Sequence, residues 1–151
     1  MKKILSILSA FGLSGTGFLA TANVVSCTNG IELPEQPKTL EEAETQANIH
    51  TEKFAKLIDE VEKEIPSFET EEEAINWILK STKYQEALIE GTWAFAYIVK
   101  VLWFLEGEQP IEYIEEYEAD INDASAQKVL TSKSKKSINS IIKWAKVSPL
   151  S

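Results

Sequence analysis

Near the middle of the chain, residues 82–107 read TKYQEALIEGTWAFAYIVKVLWFLEG. Apolar side chains recur there three and four residues apart, the spacing that places them on one face of a helix. Gly107 follows the last of them, and glycine is common just past the end of a helix. We therefore expect a long central helix, whose inward stripe consists of Tyr84, Leu88, Gly91, Phe95, Ile98, Leu102 and Leu105.

The part of this helix from Gly91 to Leu105 is apolar enough to raise the question of a membrane span. Its 15 residues would rise only about 22 Å, whereas a hydrocarbon core is about 30 Å thick. Lys100 would also cancel most of the insertion energy of the apolar side chains around it. We therefore expect the segment to be buried in a protein core, with an interfacial or partner-binding role as the alternative.

Three capping signatures predict where helices begin. In each, a Thr hydroxyl precedes a Glu or Gln by three residues, so that side chains and backbone can bond each other at the helix start. The pairs are Thr39 with Glu42, Thr70 with Glu73 and Thr82 with Gln85. The first helix should end before Pro66, and its inward stripe is Leu40, Ala43, Ala47, His50, Phe54, Leu57 and Val61.

Two further helices are predicted after Gly107. Pro110 suits the first turn of one of them, and Pro149 stops the other, which covers residues 135–147. No element is predicted for residues 122–134. The expected inward residues are Ile111, Ile114, Tyr117 and Ile121 in the first helix and Ile138, Ile141, Ile142 and Ala145 in the second.

The last helix has two interpretations, because lysines surround its apolar face. It could complete the bundle, or it could lie on anionic lipid as an amphipathic helix. We prefer the first, since a small core needs the four apolar residues. The fold expected from all these elements is all-α, a small bundle of four or five helices. The lysines are Lys133, Lys135, Lys136, Lys143 and Lys146.

The N-terminus has the order of an export signal. Lys2 and Lys3 are followed by 23 uncharged residues, from Ile4 to Ser26, and the small Ser26 directly precedes Cys27. The beginning MKKILSIL and the ending VVSC are similar to the signal peptides of spiroplasma and mycoplasma surface lipoproteins.

That resemblance is confined to residues 1–29. It implies transfer of diacylglycerol to Cys27, cleavage between Ser26 and Cys27, and attachment of the mature chain to the outer face of the cell membrane. The expected organisation is a lipoprotein signal peptide at 1–26, a lipidated cysteine and extended tether at 27–38, and a helical domain at 39–151.

Lipidation has a physical basis, because two acyl chains hold a protein on a bilayer stably whereas one holds it marginally. The alternatives are an uncleaved spanning helix at residues 4–26 and an ordinary buried thiol at Cys27. Cys27 is the only cysteine of the chain. An intramolecular disulfide and a cysteine-based zinc site are therefore excluded.

Charge is distributed unevenly along the chain. Residues 27–123 contain all 24 acidic residues and seven lysines, a balance of −17, whereas residues 124–151 contain six lysines and no acid. Arginine, which most often recognises phosphates and base edges, does not occur in the sequence. We therefore expect no nucleic-acid partner.

No residue pattern predicts a catalytic residue, a cofactor or a metal. His50 is the only histidine and lacks the neighbours of a metal-binding motif, so we expect it at a boundary between helices. Glu71–Glu73 and Glu115–Glu116 are expected to be solvated helix faces rather than catalytic pairs. Residues 120–123 lack the glycine and glutamate of a calcium loop.

The function expected from the sequence is therefore non-enzymatic interaction or display at the membrane surface, with a host or cell-surface protein as the candidate partner. The alternative is an accessory lipoprotein that captures a ligand for a transporter. A pocket lined by His50 and several tyrosines would favour that alternative. A hydrolase ranks last, because no two carboxylates are expected to converge in a cleft.

Overall fold

The computed structural model describes residues 26–27 and 30–150, with side chains from residue 32 onward. Within these residues the fold is all-α, as predicted, with six helices of which one is a single turn. The predicted signal peptide lies outside the described residues except for Ser26. The elements are β1 (Ser26–Cys27), β2 (Gly30–Ile31), α1 (Leu40–Glu64), α2 (Glu71–Lys80), α3 (Thr82–Glu106), α4 (Ile111–Ile121), α5 (Ala124–Gln127) and α6 (Ser132–Ala145).

α1 and α2 begin where the capping signatures predict. Thr39 accepts a hydrogen bond from the backbone N–H of Glu42 at 3.1 Å, and Thr70 accepts one from Glu73 at 3.1 Å. The Glu42 carboxylate in turn accepts from the N–H of Lys38 at 2.6 Å. Both helices therefore start from interactions within a few residues of sequence.

The start of α3 differs from the prediction. Ser81 caps the helix rather than Thr82, and its hydroxyl accepts from the N–H of Tyr84 at 3.1 Å. Gln85 does not take part in a capping box, because its side chain is buried and engaged elsewhere.

The Gln85 amide joins α3 to the neighbouring α2 and to a distant part of the chain, residues 129–134. Its nitrogen donates to the carbonyls of Ile78 at 3.1 Å and Val129 at 2.8 Å. Its oxygen accepts from the Ser134 hydroxyl at 2.7 Å and from the N–H of Thr131 at 3.3 Å. All the polar groups of this buried amide are thus paired.

α3 is the central helix, as predicted, and packs against α1 and α6. α1 approaches it closely at Gly91, where an added Cβ would lie 3.1 Å from Cε1 of Phe54. Gly107 ends the helix with a left-handed φ of 79°, and its N–H donates to the carbonyl of Trp103 at 2.8 Å.

The inward stripe predicted for α3 holds only as far as Phe95. Ile98 and Leu102 are half-buried, and Leu105 is 63% exposed. A strict seven-residue repeat drifts by about 20° per heptad around a straight α-helix, so its later members leave the buried face. A second face of α3 is buried instead, with Trp93, Ala96, Tyr97, Lys100 and Trp103.

In α4 the predicted inward residues are buried with one exception. Ile114, Tyr117 and Ile121 lie in the core, but Ile111 is 54% exposed. Pro110 is the residue just before the helix rather than part of its first turn, and it is buried.

Residues 122–134, for which no element was predicted, contain α5 and the start of α6. Thr131 caps α6 by accepting from the N–H of Ser134 at 3.0 Å. The last helix therefore begins at Ser132 rather than at residue 135. Its predicted inward face is confirmed, and the helix completes the bundle through buried Ile138, Ile141, Ile142 and Ala145.

Candidate functional site

Four buried rings form a cluster between α1, α3 and α6, which we call the aromatic cluster. His50 of α1 stacks on Tyr97 with a centroid distance of 5.5 Å and on Trp93 with a distance of 5.8 Å. Trp144 of α6 meets the same two rings edge-on, at 5.4 Å from Trp93 and 5.0 Å from Tyr97. Such offset and edge-on arrangements are the favourable ones for aromatic pairs.

His50 is tied to a carboxylate at the rim of this cluster. Its Nδ1 lies 2.7 Å from Oε1 of Glu90, which is 18% exposed. An ionised carboxylate only accepts hydrogen bonds, so this contact pairs with the tautomer of His50 in which Nδ1 is the donor. The prediction that His50 lies between helices is confirmed, but its partner on α3 had no signal in the sequence near His50.

Lys100 is fully buried, and its Nζ lies over the ring of Trp144 at 4.6 Å from the centroid. Its ammonium donates to the carbonyl oxygens of Trp144 at 2.8 Å, Ala145 at 3.1 Å and Val147. The last carbonyls of a helix lack partners and form the negative end of its dipole, so Lys100 closes the C-terminus of α6. Burial lowers the pKa of Lys100 to about 7.

Residues 32–38, the end of the predicted tether, lie against the bundle. The indole N–H of Trp144 donates to the carbonyl of Pro34 at 2.8 Å, and the Gln36 amide donates to the carbonyl of Trp144 at 3.4 Å. Pro37 is buried. A buried indole N–H requires an acceptor, and this extended segment supplies one. This part of the tether is therefore docked rather than standing free of the domain.

A cleft of about 1010 Å³ separates residues 32–38 from α1 and α3. His50, Trp93 and Tyr97 of the aromatic cluster contribute to its wall, together with Glu90. Burial raises the pKa of Tyr97 to about 12, so its hydroxyl stays protonated at neutral pH. Among the described residues that line the cleft, the acidic ones are Glu32, Glu35, Glu41, Glu42 and Glu90, and the basic ones besides His50 are Lys38 and Lys53.

The combination of carboxylates and aromatic residues in the wall of the cleft suits a positively charged organic ligand. The carboxylates attract a cation by charge, and the largely buried rings of Trp93 and Tyr97 add an apolar part to the wall. The cleft volume is at the upper limit of the range of small-molecule sites, about 300–1,000 Å³. The arrangement can therefore bind an organic cation.

The acidic groups considered for catalysis are separated from the cleft. Glu71–Glu73 are exposed at the start of α2, and Glu115–Glu116 are exposed on α4. Asp123 accepts from the N–H of Ser125 at 3.1 Å at the start of α5, which is a capping role. Within the described residues, no group of three or more His, Cys, Asp or Glu side chains could hold a metal ion.

The predicted lipidation and cleavage residues lie at the edge of the described chain. The backbones of Ser26 and Cys27 form β1, which pairs with β2 in antiparallel register. The Cys27 thiol and residues 1–25 are outside the described part, so lipidation and cleavage stay predictions.

α3 is the one described helix that is long and apolar enough to cross a membrane. Of its most apolar window, 61% is buried inside the protein. Most of the predicted core segment is therefore covered by the other helices, which is the expected arrangement for the central helix of a bundle.

Comparisons of the chain with protein-family models, curated proteins and solved structures found no match.

Proposed function

We propose that this chain is a lipid-anchored surface protein whose helical domain acts by binding rather than by catalysis. The N-terminal pattern that ends in Ser26 and Cys27 supports the location at the outer face of the cell membrane. The binding role rests on one observation, the acidic cleft whose wall includes part of the aromatic cluster.

The cleft favours ligand capture, the kind of work done by an accessory lipoprotein of a transporter, over general interaction or display. The criterion set from the sequence for this role is met in part: His50 lines the cleft, but Tyr97 is the one tyrosine among the described residues of its wall. Glu90 is fixed at the wall by its bond to His50, so its carboxylate is preorganised for a ligand. We assign the ligand to the small organic cations.

The test of the cleft is a thermal-shift titration with choline and, separately, spermidine, against sodium chloride of equal ionic strength. A ligand at about one hundred times its Kd stabilises the folded state by about 2.7 kcal/mol, which raises Tm by about 10 °C for a domain of this size. Glu90→Gln should reduce the shift, whereas Glu86→Gln, an exposed position one turn away on α3, should leave it unchanged.

Two results would contradict ligand capture. One is the absence of a Tm shift with both cations. The other is an equal loss of the shift in the Glu90 and Glu86 variants, which would indicate a general charge effect rather than binding in the cleft.

The anchor is tested separately on the protein isolated from its own cells. Mass spectrometry of its N-terminal peptide should show a diacylglyceryl group on Cys27, and the protein should be recovered with membranes. A Cys27→Ala chain should lack the modification. An unmodified thiol in protein recovered from the soluble fraction would refute the proposed location.

A further inference from the structure

We propose that a row of lysines on α6, here called the lysine stripe and formed by Lys133, Lys136 and Lys143, binds the headgroups of anionic phospholipids. Through this contact the domain would be held with α6 facing the bilayer. The proposal rests on the membrane anchor at Cys27, and it adds an orientation that the anchor alone does not impose.

The lysine stripe lies opposite the face of α6 that packs in the core. Positions three and seven residues apart fall on one side of a helix, and this side is turned away from buried Ile138 and Ala145. All three lysines are exposed. Among the described residues they form no ion pair, whereas the neighbouring Lys146 pairs with Glu118 at 2.8 Å. The packing of α6 in the bundle therefore leaves its cationic side available.

The uneven charge of the chain favours an orientation in which the lysine stripe faces an anionic surface. Residues 27–123 carry a balance of −17, and residues 124–151 carry +6. An anionic bilayer repels the acidic part and attracts the lysines, so the two forces favour the same orientation.

The docked segment brings this helix close to the anchor. Pro34 is bonded to Trp144 near the end of α6, and β2 lies beside the same helix. Only six residues separate Pro34 from Cys27, and even fully extended the seven steps between the two span at most about 25 Å. The lysine stripe itself covers eleven residues of helix, or ten rises, which is about 15 Å. A lipid on Cys27 therefore keeps the stripe within reach of the membrane surface.

The test uses the chain from Cys27 to Ser151, which contains every buried side chain that the structure describes, from Pro37 to Pro149. Its only thiol is coupled to a maleimide-bearing phospholipid in vesicles of phosphatidylcholine, with or without about 30% phosphatidylglycerol. Lysine acetylation rates are then read at each site by mass spectrometry. This attachment does not depend on acylation of Cys27 by the cell. The vesicle experiment therefore tests the lysine stripe even if the native protein proves not to be lipidated.

On vesicles with phosphatidylglycerol, acetylation of the lysine stripe should slow by about threefold or more relative to phosphatidylcholine alone. The exposed Lys56, Lys63 and Lys80 of the acidic part should react equally on both. Sodium chloride at about 1 M, which reduces the screening length to about 3 Å, should abolish the protection.

A variant with all three stripe lysines changed to Gln should lose the protection at Lys135 on the same helix. A control variant with Lys56, Lys63 and Lys80 changed to Gln has the same change in charge and should keep the protection of Lys135. Equal acetylation of the stripe on both kinds of vesicle would overturn the proposal. Equal protection of all lysines would overturn it as well, because it would show crowding at the surface without a preferred orientation.

Discussion

Replacing Lys100 by Met should change how the stability of the domain depends on pH. Lys100 is fully buried and bonds the last carbonyls of α6, and burial lowers its pKa from 10.5 to about 7. The unfolded chain therefore binds more protons than the folded chain between these two values. Stability should rise as the pH rises through this window, and this contribution should be level below about pH 7, where both states are protonated.

The size of the effect follows from the two pKa values. Linkage between a folded pKa of about 7 and an unfolded pKa of 10.5 gives a gain of about 2 kcal/mol in the free energy of unfolding between pH 7 and pH 9. Above about pH 9 the ionisation of buried tyrosines lowers the free energy of unfolding. Burial raises the pKa values of Tyr97 and Tyr113 to about 12, so their ionisation favours the unfolded chain near pH 10.

The assay is urea unfolding of the wild-type and Lys100→Met chains at about pH 7, 8 and 9, followed by tryptophan fluorescence. The difference in unfolding free energy between the two should shift by about 2 kcal/mol in favour of the wild type across this range. Lys128→Met, at an exposed position, is the control and should give a constant difference. A pH-independent difference for Lys100→Met would refute the reasoning, whichever variant is more stable at pH 7.

Three further changes test the packing. Gly91→Ala gains about 1 kcal/mol of helix propensity but forces the new Cβ against Phe54, at a cost of about 1 to 3 kcal/mol. Urea unfolding should therefore show a net loss of unfolding free energy, which Phe54→Leu in the same chain should relieve. If the effects of the two substitutions simply add, the contact is contradicted. Gln85→Leu removes a hydrogen-bond partner from four polar groups, of which the Ile78 carbonyl and the Ser134 hydroxyl keep another. The variant should lower the unfolding free energy by about 2 to 4 kcal/mol, and an unchanged denaturation midpoint would refute this. Deleting residues 132–151 removes α6 and the acceptors of Lys100, so calorimetry should show no cooperative transition; an intact transition would mean that α6 is dispensable.

The helix starts show which features are local enough to be predicted. Thr39 and Thr70 cap their helices through residues three positions away, and the sequence contains everything that this needs. Ser81 and Thr82 are adjacent hydroxyl residues, and the choice between them depends on Gln85, which is drawn into bonds with residues more than 40 positions later. The starts of α1 and α2 are thus determined by short-range geometry, whereas the start of α3 is determined by the packing of distant parts of the chain.

The candidate site could be predicted only in part for the same reason. His50 was placed on an inward face by helical spacing, but Glu90, Tyr97 and Trp144 meet it only after α1, α3 and α6 have packed. The sequence did contain a sign that Lys100 forms buried hydrogen bonds, since a single lysine within an apolar helix requires polar partners. Those partners are backbone carbonyls of α6, and backbone groups leave no mark in a pattern of side chains.

The bond between Trp144 and Pro34 also determines how mechanical load enters the domain. A pull on the N-terminal segment reaches the indole of Trp144 before it reaches the first turn of α1. Trp144 is in turn held through its carbonyl by Lys100 on the central helix. With the anchor proposed at Cys27, drag on the molecule would therefore load α6 and the central helix as well as the start of α1.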